Sequence, residues 1–301
     1  MDSTIYFCGY GNRDLLVRLP TVPLAGARVH AKSIQSLDGG MAANAAVAAA
    51  RFGARTHFVG AVGTDAESTA FLAALHTEGI STDHTSREGF LSYAVILVDG
   101  KGERAVISQD DSLDTPRLAS FLAQIEPGAG HWVYIDGYRW DREWLIEPDG
   151  LNIVVDVDGA LEKEHIVRAA RASRHLLGSY KTFMNTCGFS EQELGDLAES
   201  FGTTIVVTRG EAGLTLLEPG SEPWHAPAFP AQVVDDTGAG DCFAGIYIAS
   251  LAAGTSSREA ALTASGGASL SCLSHGARAA PRAKEVHALM ANVNTSPNLQ
   301  K

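Results

Sequence analysis

From residue 116 onward, short apolar runs bounded by turn residues alternate with stretches of helical pattern. Strands are expected at 131–135, 153–157, 175–177 and 204–207, with helices at 116–124, 163–172 and 191–200. A hairpin is expected over 213–224, and helices at 239–253, 257–270 and 281–290 close the chain. Repeated β-α units with short links leave few solutions other than a mostly parallel sheet covered by helices on both faces. The expectation is therefore a doubly wound α/β body.

The first hundred residues follow the same rule with two interruptions. A strand at 5–8 leads into Gly9-Tyr10-Gly11-Asn12-Arg13-Asp14, and a second apolar pattern at 15–19 is cut by Pro20 and Pro23. Gly39-Gly40 then opens a small-residue helix at 41–52. A strand at 57–62 and a helix at 67–77, stopped by Gly79, come next. The run 90–98, the turn Asp99-Gly100-Lys101-Gly102 and the run 104–108 read as a hairpin rather than a strand with a crossover helix. Segments 12–36 and 88–108 are thus expected to form a small sheet outside the body, as interleaved excursions from one 1–301 domain.

Charge and cysteine usage narrow the partners. Lys and Arg total 23 against 35 acids, a formal charge of −12 in 301 residues. That field repels phosphate backbones and anionic lipid, so neither nucleic acid nor a membrane is an expected partner. No run of 18 apolar residues occurs. Cys8, Cys187, Cys242 and Cys272 form no CxxC pair and read as thiols of a reducing compartment, so a cytoplasmic protein is expected.

The strongest local signal is Val234-Asp235-Asp236-Thr237-Gly238-Ala239-Gly240-Asp241, followed by an apolar helical stretch. Two glycines allow a tight entry into the helix. Its first amides have no acceptor within the helix and can cradle a phosphate or the charge that builds as one is transferred. Asp241, in the first turn, could take the proton of a substrate hydroxyl; equally, it could only cap the helix. Gly39-Gly40 with Asn44 marks a second such entry, suited to close approach of a polar ligand or merely to starting a helix. Asp14 could bind substrate hydroxyls or end a turn. No GxxxxGK[ST] loop, HRD-to-DFG arrangement or HExxH motif is present. Gly9-x-Gly11-x-x-Asp14 misses the dinucleotide fingerprint, because an acid replaces its last glycine.

These motifs together resemble the ribokinase-like (PfkB) carbohydrate kinase family. The resemblance rests on Gly11-Asn12-Arg13-Asp14, Gly39-Gly40 with Asn44, Ala50-Arg51-Phe52-Gly53-Ala54, Val59-Gly60-Ala61-Val62-Gly63-Thr64-Asp65 and, above all, the string from Asp235 to Gly245. It implies a ribokinase-like doubly wound body with a β-sheet lid. It also implies transfer of the ATP γ-phosphoryl group to a hydroxyl of a sugar or sugar derivative, with Mg2+. Asp241 matches the catalytic base, and Gly238, Ala239 and Gly240 match the anion hole. Asp14, Gly39, Gly40 and Asn44 match substrate-binding positions, to which Arg104 and Arg139 are added as candidate contacts to an anionic group. Lys181, Thr208 and Gly210, with Gly238 and Gly240, are candidates for the nucleotide. Asp235 and Thr237 resemble the monovalent-cation site, for K+, of many members. A homodimer through the lid is the assembly the resemblance implies.

Two departures bear on the metal and the substrate. Where the family often has Asn-x-x-Glu, helping to order magnesium-bound water, this chain has Ser179-Tyr180-Lys181-Thr182. Where many members have Asp-x-Asn, it has Asp156-Val157-Asp158. The combination resembles a sulfofructose kinase branch; 2-keto-3-deoxygluconate, ribose-like sugars, fructose derivatives and nucleosides are competing acceptors. A catalytically inactive sugar- or nucleotide-binding protein is the rival class. Arg209, in Thr208-Arg209-Gly210, could meet phosphate or stay in water.

Overall fold

The computed structural model describes residues 3–109, 112–113, 115–126, 128, 130–137 and 150–294. Its frame is set by six short strands: β1 (Thr4–Cys8), β4 (Arg55–Val59), β7 (Trp132–Ile135), β8 (Asn152–Asp156), β9 (His175–Ser179) and β10 (Thr204–Thr208). They lie parallel, and a parallel pair needs a crossover connection rather than a tight turn, as between β8 and β9 and between β9 and β10. The antiparallel strands β11 (Leu214–Leu217) and β12 (Trp224–Ala226) extend one edge, giving the order β12-β11-β10-β9-β8-β7-β1-β4.

Both faces are buried, and alternation along each strand decides which residue goes where. Ile5 and Phe7 of β1 and Val206 of β10 pack with helices α1 (Met41–Arg51), α6 (Ala239–Ala252) and α7 (Ser257–Ser271). Cys8, Ile205 and Val207 pack on the other side with α3 (Thr115–Leu122), α4 (Lys163–Ala172) and α5 (Glu191–Phe201). Helices α2 (Ala66–Thr77) and α8 (Ala283–Asn294) complete the first side. The doubly wound body expected from the sequence is thus present.

Small residues set the distance between α1 and α6. Residues Ala42–Ala49 of α1 are all buried, and a Cβ added at Gly245 of α6 would lie 2.2 Å from the Ala45 carbonyl oxygen. Only glycine at 245 permits that approach, which brings the N-terminal turn of α6 beside Asn44.

The lid is a separate sheet in the order β3-β2-β5-β6, from β2 (Asn12–Arg18), β3 (Ser33–Gly39), β5 (Ser92–Val98) and β6 (Arg104–Ser108). Strands β5 and β6 form the expected antiparallel hairpin. The central pair, β2 with β5, is parallel, Asn12 opposite Ser92 through Arg18 opposite Val98. Local turn signals cannot announce such a pair. Nor do they announce the π-helical turn at Lys181–Thr186.

The order of the body strands also locates the cleft. From β1 the chain moves to β4 on one side and later returns to β7 on the other. A crevice opens outside the carboxyl ends of the strands at such a reversal. Gly9, Asp136, Asp156 and Asp158 all follow or end strands there.

Candidate active site

Glycine at 238 is the N-cap of α6 in the left-handed region (φ 77°), and a Cβ there would come within 2.4 Å of the Ala277 carbonyl oxygen. The turn at this helix entrance is held by Ala239 N–H to the Asp236 carbonyl (3.2 Å) and Cys242 N–H to that of Gly238 (2.8 Å). The amides of Gly240 and Asp241 stand in the first turn, with no carbonyl four residues back inside the helix.

Asp241 Oδ2 accepts a 2.8 Å hydrogen bond from Asn44 Nδ2. Burial pushes the Asp241 carboxyl up to about 7, the Asn44 bond opposes the rise, and the charges of Asp158 and Asp14 add to it. Two sequence candidates 197 residues apart are therefore in direct contact.

Asp14 belongs to the same cleft. Its Oδ1 accepts 2.8 Å from Asn12 Nδ2; burial raises its pKa, with Asn12 and Arg278 pulling the other way and Asp38 adding to the rise. A Cβ at Gly39 would sit 2.4 Å from both Asn12 Oδ1 and Asp14 Oδ2, so a side chain there would fill the cradle. Gly40 has φ 100°, and a Cβ on it would meet Gly11 Cα and the Tyr10 carbonyl oxygen at 2.5 Å. The paired glycines serve close chain-to-chain approach as well as an open pocket.

A cavity of about 450 Å³ lies at the ends of β9 and β10. Its lining includes Ser179, Lys181, Thr208, Arg209 and Gly210, so the three candidates for the nucleotide side share one wall. Arg209 is held by Glu191 (2.5 Å) and Thr215 Oγ1 (3.0 Å), with its guanidinium 4.8 Å from the Tyr180 ring centre. It is thereby held in the wall of this cavity.

Beside this cavity, Asp158 Oδ1 accepts from Ser179 N–H (2.9 Å), Ser179 Oγ (2.8 Å) and Thr182 Oγ1 (2.6 Å). The residues of the two family departures thus meet each other. Next to them, the Asp156 carboxyl is driven well up by burial and by Asp158, and the fully buried Asp136 accepts from Tyr10 N–H (2.8 Å). No local pattern in the sequence singles out Asp136. A Cβ at Gly9 would overlap its carboxylate, which is why glycine follows β1.

Arg104 reaches the loop before α6 rather than the Asp14 cradle. Its Nη1 is 3.3 Å from Thr237 Oγ1, and Nη2 is 3.7 Å and 3.6 Å from Asp235 and Asp236. Asp235 Oδ1 takes the Thr237 N–H and hydroxyl (3.0 and 2.6 Å), and Oδ2 takes the Gly276 N–H (3.1 Å). Asp235 is thus tied to both ends of the loop that surrounds the entrance of α6. Among the described residues no group of three or more His, Cys, Asp or Glu is arranged to hold a metal. Arg139 lies outside the described residues.

One residue missed in the sequence is central here. Arg278 follows the Gly276 turn after α7 and packs between Asp38, Gly39, Asn44 and the Phe71 ring. Its only local signal is a basic residue after a glycine turn. Also among the described residues, no helix is long and apolar enough to cross a membrane.

Residues 9–137 and 180–284 match the model of the pfkB family carbohydrate kinases. A ribokinase of Bacillus subtilis (strain 168) is 30% identical over 296 residues, 94% of this chain and 97% of that one. The bifunctional protein HldE of Erwinia tasmaniensis is 28% identical over 265 residues, 83% of this chain but 54% of HldE. In fold, the chain is similar to Arabidopsis thaliana ribokinase in complex with ribose and ATP (TM-score 0.80, 22% identity, 96% and 99% of the two chains). It is equally similar to a Burkholderia thailandensis nucleoside kinase in complex with inosine (TM-score 0.82, 18% identity, 97% of each).

Proposed function

Since this chain belongs to the pfkB family of carbohydrate kinases, we propose that it transfers the γ-phosphoryl group of ATP to a hydroxyl of a sugar held between Asp14 and Asp241. The observation that carries this reading is the contact of Asn44 with Asp241 at the entrance of α6. It puts a base tuned to about pH 7 next to helix amides able to accept negative charge.

The step balances simply. The acceptor oxygen bonds to the γ-phosphorus as the bond from that phosphorus to the β-γ bridging oxygen breaks. The hydroxyl proton passes to Asp241, and ADP leaves. The amides of Gly240 and Asp241 stabilise charge on the transferring group, the Ala239 amide being taken by the Asp236 carbonyl, while Asp14 and Asn12 orient sugar hydroxyls. The wall of Thr208, Arg209 and Gly210 fits the nucleotide's remote end.

The donor set also fits magnesium. Asp158 with the Ser179 and Thr182 hydroxyls offers hard oxygen groups beside the nucleotide cavity, suited to ordering the water around that ion. When bound, magnesium supplies positive charge to the nucleotide phosphates.

The pairing of cations around β3 favours an uncharged polyol over a sulfonate or carboxylate sugar. Arg13 is held by Asp38 (2.6 Å) and Glu67 (3.3 Å), and Arg278 by Asp38 (3.3 Å). ADP release and product mass, measured with ATP, magnesium and a panel of ribose, fructose derivatives, nucleosides, 2-keto-3-deoxygluconate and sulfofructose, test both parts. Phosphate added to a neutral sugar is the expected product. A preference for the anionic sugars would overturn the polyol reading, and ADP release from none of them would favour the inactive binding protein.

A further inference from the structure

We infer that Arg278 is a positioning residue that fixes the orientation of the Asn44 amide and thereby keeps Asn44 a donor to Asp241; this rests on Asp241 being the base. The Arg278 side chain is 14% exposed and ends among three acceptors. Nε lies 3.3 Å from Asn44 Oδ1, Nη2 3.4 Å from the Gly39 carbonyl oxygen, and Nη1 3.3 Å from Asp38 Oδ2. The guanidinium also sits 4.9 Å over the Phe71 ring. Strand β3, helix α1 and helix α2 therefore each contribute a contact.

An asparagine amide presents an acceptor at one end and donors at the other, and a half-turn exchanges them at little cost in shape. Arginine can only donate. Facing Arg278, Asn44 must present its oxygen, which leaves its NH2 for Asp241.

This constraint matters at one moment of the cycle. An ionised Asp241 would by itself select the NH2 end of Asn44. Once Asp241 has taken the hydroxyl proton, it can donate, and an unrestrained Asn44 could turn its oxygen to accept. That turn would stabilise the protonated acid and retard its return to the carboxylate. Arg278 removes the option, so Asn44 favours the ionised base throughout. The arginine is bound to Asp38 of the lid, which ties the same restraint to the strand that covers the sugar.

The other titratable groups acting on Asp241 are Asp158 and Asp14; Tyr134 and Asp156 respond to its charge, as does Cys242 on its own helix. Around Arg278 stand Asp38, Arg13, Asp14 and Glu78. The variants Asn44→Ala, Arg278→Met and their combination replace none of these side chains, and the pull that Arg278 exerts on Asp14 is lost equally with and without Asn44.

The test is the titration midpoint of the Asp241 carboxyl, read by carbon NMR in protein with labelled aspartate, its signal assigned with Asp241→Asn. R278M is expected to raise the midpoint by roughly 0.5–1 pH unit, the scale of one modest hydrogen bond. On the N44A background R278M should raise it no further, because the arginine acts through the amide. An unchanged midpoint in R278M, or an equal rise with and without Asn44, would overturn the inference; the latter would mean simple loss of a charge. If R278M does not fold, the wild-type protein decides. The Asn44 NH2 protons should stay hydrogen-bonded as Asp241 is protonated, and their release on protonation would overturn the claim. These readouts need no turnover, so a failure of the sugar panel would refute the kinase reading separately.

Discussion

Asp241→Asn should make the protein more stable at neutral and alkaline pH while nearly abolishing turnover. The carboxyl's pKa is raised from 3.8 to about 7, chiefly because burial disfavours its charge. The folded state therefore holds this proton more tightly than the unfolded chain. Its contribution to stability is full below about pH 4, falls as pH rises through that window, and stays constant above about 7. At about 1.36 kcal/mol per pH unit, a displacement of this size corresponds to about 4 kcal/mol, and partial solvent access lowers it to roughly 2–4 kcal/mol. An amide carries no charge to desolvate, and its carbonyl can still accept from Asn44. Urea unfolding at pH 8 should show D241N more stable by roughly 2–4 kcal/mol, narrowing to about 1–2 kcal/mol at pH 5. Sugar-dependent ADP release should fall by about 10²–10⁴-fold. Equal stability at pH 8 would refute the buried-charge argument. Stabilisation with normal turnover would leave the electrostatics standing and remove Asp241 from the chemistry.

Gly245→Ala should part α1 from α6, since the new methyl would stand 2.2 Å from the Ala45 carbonyl oxygen. A loss of about 1–3 kcal/mol in thermal unfolding is expected, with a fall in turnover as Asn44 is drawn from Asp241. An unchanged melting temperature would show that the seam yields freely. His175 is buried, bonds Tyr247 through Nδ1 (2.9 Å), and has its pKa lowered to about 3 by burial, with Arg174 adding to the effect. Its neutral form contributes stability above the unfolded value of 6.5, and that stability is lost as pH falls toward 3. His175→Phe should therefore lessen the acid dependence of unfolding between pH 6 and 4 by about 1.4 kcal/mol per pH unit; an unaltered slope would contradict it.

The parts of this molecule that depend on neighbours along the chain are legible in the amino-acid sequence alone. The expected helix at 163–172 is α4 from end to end, and the expected strand at 104–108 is β6. Apolar period and turn chemistry are local properties, which explains both. The same holds for the glycine-rich entrance to α6, since helix amides and a first-turn acid need no distant partner to be recognised. What stays hidden depends on contacts across the chain. Arg278 meets Asn44 from 234 residues away and looks like any other of the 23 basic residues. Arg209 takes its place in the wall from Glu191, 18 residues earlier, a pairing that no local pattern encodes. The π-helical turn after β9 is tied to Asp158 through Thr182, a partner 24 residues distant. The parallel pairing of β2 with β5 is invisible for the same reason.

That pairing has a consequence for how such a chain can change. Strands β2 and β5 run side by side, yet the polypeptide between them builds α1, β4 and α2 of the body. The lid sheet is consequently stitched into its support and cannot be exchanged as a cassette. A crossover between two relatives anywhere in this stretch would divide both parts at once. New acceptors must be acquired in place, one side chain at a time, on strands that already have a second job.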